Sequence, residues 1–254
     1  MRRYAITFGI PVLGAGLLLI AAAYGDRFVA PIVWPEPPVV TPGENNSAPS
    51  DAVVLYDGKN FDAWKGAEDW KPDADGGFTV KGAIQTKRDF GDCQLHVEFA
   101  EPNPPHGKDQ GRGNNGIGFM GARYEIQVLD SYDNPTYFEG QCASVYNQTP
   151  PMVNASRKPG EWQTYDIVFN PPHFDADGKV VTPAYVTVLH NGVLVQNHTE
   201  VKGYTYYDKP NTYTKHADKL PLVLMYHGDP VRFRNIWIRD VKELVGKPAK
   251  EKNK

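Results

Sequence analysis

Residues 184–196 read "AYVTVLHNGVLVQ". Apolar and polar side chains alternate on both sides of Asn191-Gly192, the period of a half-buried β-strand. Asn-Gly between two such runs is a strong signal for a tight hairpin, because both turn residues must take positive φ. The same alternation recurs in short bursts on either side: "FTV" (78–80), "CQLHVEF" (93–99), "GIGFM" (116–120), "YEIQVL" (124–129), "TYDIVF" (164–169), "LPLVLMY" (220–226) and "FRNIWIRD" (233–240). Glycine (24) and proline (22) separate the bursts, and no amphipathic stretch of helical length follows residue 50. The pattern predicts an all-β chain, a two-sheet jelly-roll β-sandwich, over residues 51–243.

The ends of the 254-residue chain are different in kind. "MRRY" is basic, and residues 5–25 carry no charge. A helix of that length spans the roughly 30 Å of a bilayer core. It reads as a membrane anchor, or as a secretory signal with "AAA" at 21–23 as the cleavage site. In both cases the body is expected on the periplasmic or extracellular side, anchored or released. Residues 26–50 form a proline-rich linker, with six prolines in 31–50. They read as a semi-rigid stalk, or as an arm on the domain if Trp34 finds a partner. Residues 244–254 form a basic tail. With net charge −3 and no basic stripe in the body, nucleic acid is not an expected partner. Cys93 and Cys142 are the only cysteines, candidates for a disulfide or two separate thiols.

The alternation also sorts faces. In "RYEIQVLDSY" (123–132), Tyr124, Ile126 and Val128 share the core side, while Glu125 and Gln127 face out. In "CQLHVEF" the same rule sends Cys93, Leu95, Val97 and Phe99 inward and Gln94, His96 and Glu98 outward. An outer face carrying amides and carboxylates suits a sugar if it forms a hollow, and is a solvated sheet face if it does not.

Six collinear stretches carry a resemblance over residues 53–241: "LYDGKNFDAWKG" (55–66), "GDCQLHVEF" (91–99), "GNNGIGFMGARYEIQVLDSY" (113–132), "VNASRKPGEWQTYDIVF" (153–169), "VTVLHNGVLVQNH" (186–198) and "LPLVLMYHGDPVRFRNIWIRD" (220–240). Together they resemble the 3-keto-disaccharide hydrolase family, which has a concanavalin-like jelly-roll fold. The resemblance implies secreted or periplasmic proteins acting on 3-keto sugars. A ketone at C3 acidifies the C2 hydrogen; a base removes it, the oxygen on C1 leaves by β-elimination, and water can add back. Carried over by position, Glu125 or His227 is the candidate base, while Gln127, Asn114, Arg232 and Tyr146 are candidate sugar-binding residues. Asp130 is a candidate metal ligand or a turn cap, and a divalent metal such as calcium a candidate cofactor. This chain departs from the family pattern at Met225 and Tyr226, where an amide and a carboxylate are usual. A carbohydrate is the ligand so implied. The apolar N-terminus and these departures also fit another class, a non-catalytic accessory subunit of a larger membrane complex.

His106, His190, His198 and His216 lack the paired spacing of a metal site and read as structural. Asp175 and Asp177 in "FDADGK" form too short a ladder for an EF-hand and read as a turn, with a calcium loop as the alternative. The tyrosines of "GYTYYDKPNTYTKH" (203–216) are candidates for packing, or for stacking on a sugar or a protein partner.

Overall fold

The computed structural model describes residues 31–248. The proposed anchor at 5–25 lies outside them, and among the described residues no helix is long and apolar enough to cross a membrane. Two units are separable. In the smaller one, β1 (Ile32–Val33) pairs antiparallel with β16 (Lys247–Pro248). The larger runs Val39–Lys242, so residues 39–50 of the proline-rich stretch belong to the body.

The body is a two-sheet antiparallel sandwich. One sheet has the order β13 (Val193–Val201), β12 (Ala184–His190), β9 (Gln163–Asn170), β6 (Cys93–Ala100), β15 (Arg232–Asp240) and β2 (Val53–Tyr56), with β4 (Phe78–Thr79) also on β15. The other has the order β3 (Trp64–Lys65), β5 (Ile84–Phe90), β14 (Leu220–Leu224), β7 (Asn115–Gly118) and β8 (Tyr124–Val128). A short ribbon, β10 (His173–Phe174) with β11 (Val180–Thr182), stands apart. The 184–196 stretch forms the expected hairpin, with Asn191 and Gly192 at φ of 53° and 77°.

The core fills the space between the sheets. Leu95, Val97, Phe99, Tyr165, Ile167, Phe233 and Ile238 enter it from the larger sheet and Ile117, Tyr124, Ile126, Val128, Leu222 and Leu224 from the smaller. Phe119 stacks on Phe169 across the gap at 4.4 Å. Burying each such side chain stabilises the fold by about 1.5–3 kcal/mol.

Both cysteines are buried and free, which corrects the disulfide alternative. Cys142 Sγ lies 2.9 Å from the Tyr165 hydroxyl. Tyr165 pairs with Val97, four residues along β6 from Cys93. At about 3.3 Å per strand residue, the thiols are held far beyond bridging distance.

Gln94, His96 and Glu98 do face away from the core, but not into solvent. His96 stacks on Trp237 at 5.3 Å and bonds Asp166 at 2.7 Å; Arg234 holds Glu98 at 2.6 Å. The backbone carbonyl of Asn46 accepts from Trp237 Nε1 (2.8 Å) and Asn235 Nδ2 (3.0 Å), so the 39–50 arm lies over this face. Burial opposes charge on His96, but its hydrogen bonds to Asp166 and Glu98 outweigh this and raise its pKa to about 9.

Candidate functional site

The site lies on the outer face of the smaller sheet. Strands β7 and β8 pair so that Gly116 faces Gln127 and Gly118 faces Glu125. Inward, Ile117 and Ile126 enter the core; outward, β7 offers only glycine, leaving room above the strand for its neighbours' side chains. A Cβ on Gly116 would stand 2.4 Å from Glu125 Oε1, so the carboxylate occupies the space that glycine vacates. Segment 144–146 borders the free edge of β8: Gln127 N–H donates to the Ser144 carbonyl and Tyr146 N–H to the Glu125 carbonyl. That register brings the Tyr146 phenol beside Glu125.

Above this floor is a cavity of about 320 Å³ lined by Gln110, Asn114, Glu125, Gln127, Tyr146, Thr205, Tyr207, Met225 and His227. Five of the six residues assigned to catalysis or sugar binding from the sequence thus meet in one hollow. Glu125 is buried at its base, and His227 Nε2 stands 3.7 Å from Glu125 Oε1 with its ring two-fifths exposed. With its NH2 group turned to acceptors, Gln127 donates to Glu125 Oε1 (3.2 Å) and to the Asn115 carbonyl (2.8 Å). Asn114 Nδ2 donates to the Gln110 carbonyl (2.8 Å), and its backbone N–H to Asp229 (2.8 Å). Tyr146 and Tyr137 share a hydroxyl hydrogen bond of 2.6 Å. Burial, and the negative charge of Glu125, raise the Tyr146 pKa and keep it a proton donor.

Arg232 is elsewhere, a correction to its sugar-binding assignment. It projects from β15 on the other sheet, binds Asp73 (3.2 Å) and Asp75 (2.5 Å), and packs on Trp162. Only five positions separate it from His227, but the chain crosses from one sheet to the other between them. Tyr226 is outside the cavity too; its hydroxyl bonds the Gly228 carbonyl at 3.3 Å. Met225 remains as an apolar wall.

Asp130 does not line the cavity. It binds Arg112 Nε (2.7 Å) and caps the following turn through Tyr132 N–H (3.1 Å). Among the described residues no group of three His, Cys, Asp or Glu side chains could hold a metal ion. The cavity wall offers one carboxylate, Glu125, and one imidazole, His227, so this donor set does not fit a divalent cation. The 175–179 turn is likewise no calcium loop: Asp175 accepts from Lys179 N–H, and the Lys215 ammonium binds the carbonyls of Asp175 and Ala176. His190 is buried against Gln163, and burial lowers its pKa to about 3.

The residues not anticipated are Gln110 and Thr205. Gln110 comes from a 3₁₀ turn (Asp109–Gly111) before β7, and Thr205 from the tyrosine-rich loop. Thr205 N–H donates to the Arg123 carbonyl (2.7 Å) and its Oγ1 accepts from Glu125 N–H (3.2 Å), covering the remaining edge of β8.

Under Gly113 lies an acidic group. Glu101 is fully buried, both its oxygens are without hydrogen-bond partners, and it packs under Gly113, where a Cβ would meet Oε2 at 2.2 Å. Burial, then the charges of Asp130 and Asp229, push its pKa well up, in the direction that favours the protonated acid.

Residues 51–239 match the model of the 3-keto-alpha-glucoside-1,2-lyase-like domain. Among solved structures, a candidate glycosyl hydrolase from Parabacteroides distasonis ATCC 8503 is 43% identical, covering 93% of this chain and 100% of its own at a TM-score of 0.78. Two further candidate glycosyl hydrolases from the same organism share the fold. One is 16% identical, covering 76% of this chain and 94% of its own at a TM-score of 0.55. The other is 21% identical, covering 75% and 99% at 0.53. No curated protein matches the chain.

Proposed function

The chain belongs to the 3-keto-alpha-glucoside-1,2-lyase-like family, and on that premise we propose that it is an exported carbohydrate-active enzyme that cleaves 3-keto glycosides. The observation that carries this reading is the convergence of Glu125, His227, Gln127, Asn114 and Tyr146 on one cavity.

Each residue then has a role set by its place. The carboxylate of Glu125, steered by Gln127, takes the C2 proton that the C3 ketone has acidified. Asn114, with one N–H spent on Gln110, turns the other to the C3 oxygen as the enolate forms. The electron pair collapses to a C1–C2 double bond and expels the glycosidic oxygen, which takes a proton from Tyr146. His227, at the mouth, passes the proton from Glu125 to water. Water then adds across the double bond, its hydroxide to C1 and its proton to the Tyr146 phenolate, while C2 takes a proton back through His227 and Glu125; this completes hydrolysis and resets the residues. Met225 and the tyrosines keep the cavity partly dry, which strengthens each of these interactions.

Purified protein should cleave a 3-keto-glucoside and leave the unoxidised glycoside intact. Glu125→Gln and His227→Ala should lower turnover by about 100- to 10,000-fold, with unchanged far-ultraviolet circular dichroism. Wild-type protein inert on a panel of 3-keto glycosides would sink the proposal. Arg2, Arg3 and the uncharged residues 5–25 support export of the body across a membrane; intact mass of the native protein tells anchor from cleaved signal.

A further inference from the structure

In the loop that follows β14, Tyr226, His227, Gly228 and Pro230 are exposed, while Asp229 among them is buried. Burying a carboxylate is costly unless hydrogen bonds replace its water. Asp229 has them. Its Oδ2 accepts from Asn114 N–H (2.8 Å), and its Oδ1 lies 2.9 Å from Nε2 of the exposed His106. Its backbone carbonyl accepts from Nδ2 of the buried Asn115 (3.3 Å). Hydrogen bonds to an ionised carboxylate are about twice as strong as neutral ones. One residue thus gathers the 106 loop, the start of β7 and the loop after β14.

The consequence falls on the cavity, although neither Asp229 nor His106 lines it. Just past the end of β14, Met225 N–H donates to the Gly116 carbonyl (2.8 Å). Gly228, at φ of 102°, then turns the chain back, and Asp229 meets Asn114 and Asn115. His227 is therefore the midpoint of the 225–229 span, pinned at both ends to residues 114–116. Asn114 is held from two sides, its N–H by Asp229 and its Nδ2 by the Gln110 carbonyl. We infer that Asp229 positions Asn114 and His227 against each other, so that the donor to the C3 oxygen and the exit for the proton keep their spacing across the cavity. It acts through those two residues and not on the sugar. The inference rests on the function proposed above and adds a residue that governs its turnover.

Asp229→Asn and Asp229→Glu, made in the full chain, separate geometry from charge. The first keeps an oxygen for Asn114 N–H and sets an NH2 group against His106 Nε2; the second keeps the charge but is one methylene longer. On a 3-keto glycoside, Asp229→Glu should lower kcat about 100-fold, the cost of moving a reacting group by about 1 Å, and leave KM within about threefold. Asp229→Asn, with only a weaker hydrogen bond, should recover kcat to within about fivefold of wild type. A loss beyond about tenfold in Asp229→Asn, or wild-type kcat in Asp229→Glu, overturns the inference. In an Asn114→Ala or a His227→Ala background, Asp229→Glu should cost about tenfold or less, since part of what it disturbs is already gone. The full loss in both backgrounds means that Asp229 acts independently of them, and overturns the inference. If wild type cleaves no 3-keto glycoside, the proposed function fails and amide hydrogen exchange, followed by NMR, decides the positioning separately. Exchange of Asn114 N–H at least about tenfold faster in Asp229→Glu than in wild type supports it; equal exchange overturns it.

Discussion

Replacing Gly116 by alanine probes the geometry of the site without touching any functional group. The new Cβ would fall 2.4 Å from Glu125 Oε1, where ordinary contact begins at 3.4 Å, so the carboxylate must retreat by 3.4 − 2.4 = 1.0 Å. The Cγ and Cδ of Glu125, each 3.0 Å away, must move with it. A misplacement of about 1 Å at a reacting group costs on the order of 100-fold, or roughly 2.7 kcal/mol of transition-state stabilisation. Overpacking a buried site costs about 1–3 kcal/mol of stability. Gly116→Ala should therefore lower kcat/KM on a 3-keto glycoside about 100-fold and lower the melting temperature modestly. Combining it with Glu125→Asp, whose carboxylate is one methylene shorter, should restore the melting temperature and leave activity low. Stopped assays for kcat/KM, with calorimetric melts beside them, measure both effects. Wild-type kcat/KM in Gly116→Ala would mean that the position of Glu125 does not govern the reaction.

Two further predictions concern buried acids and bases. Glu101 keeps its proton in the fold but loses it on unfolding above pH about 4.5. Its contribution is therefore full below that pH and is lost as pH rises. Glu101→Gln should melt higher than wild type at pH 8, with the gap closing toward pH 5; a gap that does not change with pH would argue against a neutral Glu101. His96, with a pKa raised to about 9, contributes stability that is whole below its unfolded value near 6.5 and fades as pH climbs through 9. His96→Gln should flatten the decline in unfolding free energy between pH 6.5 and 9, measured by urea titration, while an unaltered slope would mean the imidazole is neutral.

Much of the fold was legible because strand faces are a matter of parity. Tyr124, Ile126 and Val128 against Glu125 and Gln127, and Leu95, Val97 and Phe99 against His96 and Glu98, sort as alternation demands. β5 was not legible: "IQTKRDF" carries Lys87, Arg88 and Asp89, and only its pairing with β3 and β14 makes it a strand. Sheet order was equally hidden, because alternation says which way a side chain points and not which strand lies beside it. Arg232 shows the consequence. Carry-over by position from the family pattern placed it in the site, and the crossing between the sheets took it away. Gln110 sits in a single 3₁₀ turn and Thr205 in a loop, neither with a period, so no signal marked them. The outward set around His96 was read correctly by direction, but its cover comes from Asn46, whereas the reading of the proline-rich stretch as an arm rested on Trp34.

That cover has a practical side. A recombinant fragment begun at residue 51, where the alternating pattern starts, would strip the carbonyl of Asn46 from Trp237 and Asn235. It would open an indole, and a histidine flanked by two carboxylates, to water. Such a truncated protein would carry a sticky, ionisable flank that the whole chain conceals, and clumping in solution could then be mistaken for natural self-association. Starting the fragment at Val39 keeps the flank closed.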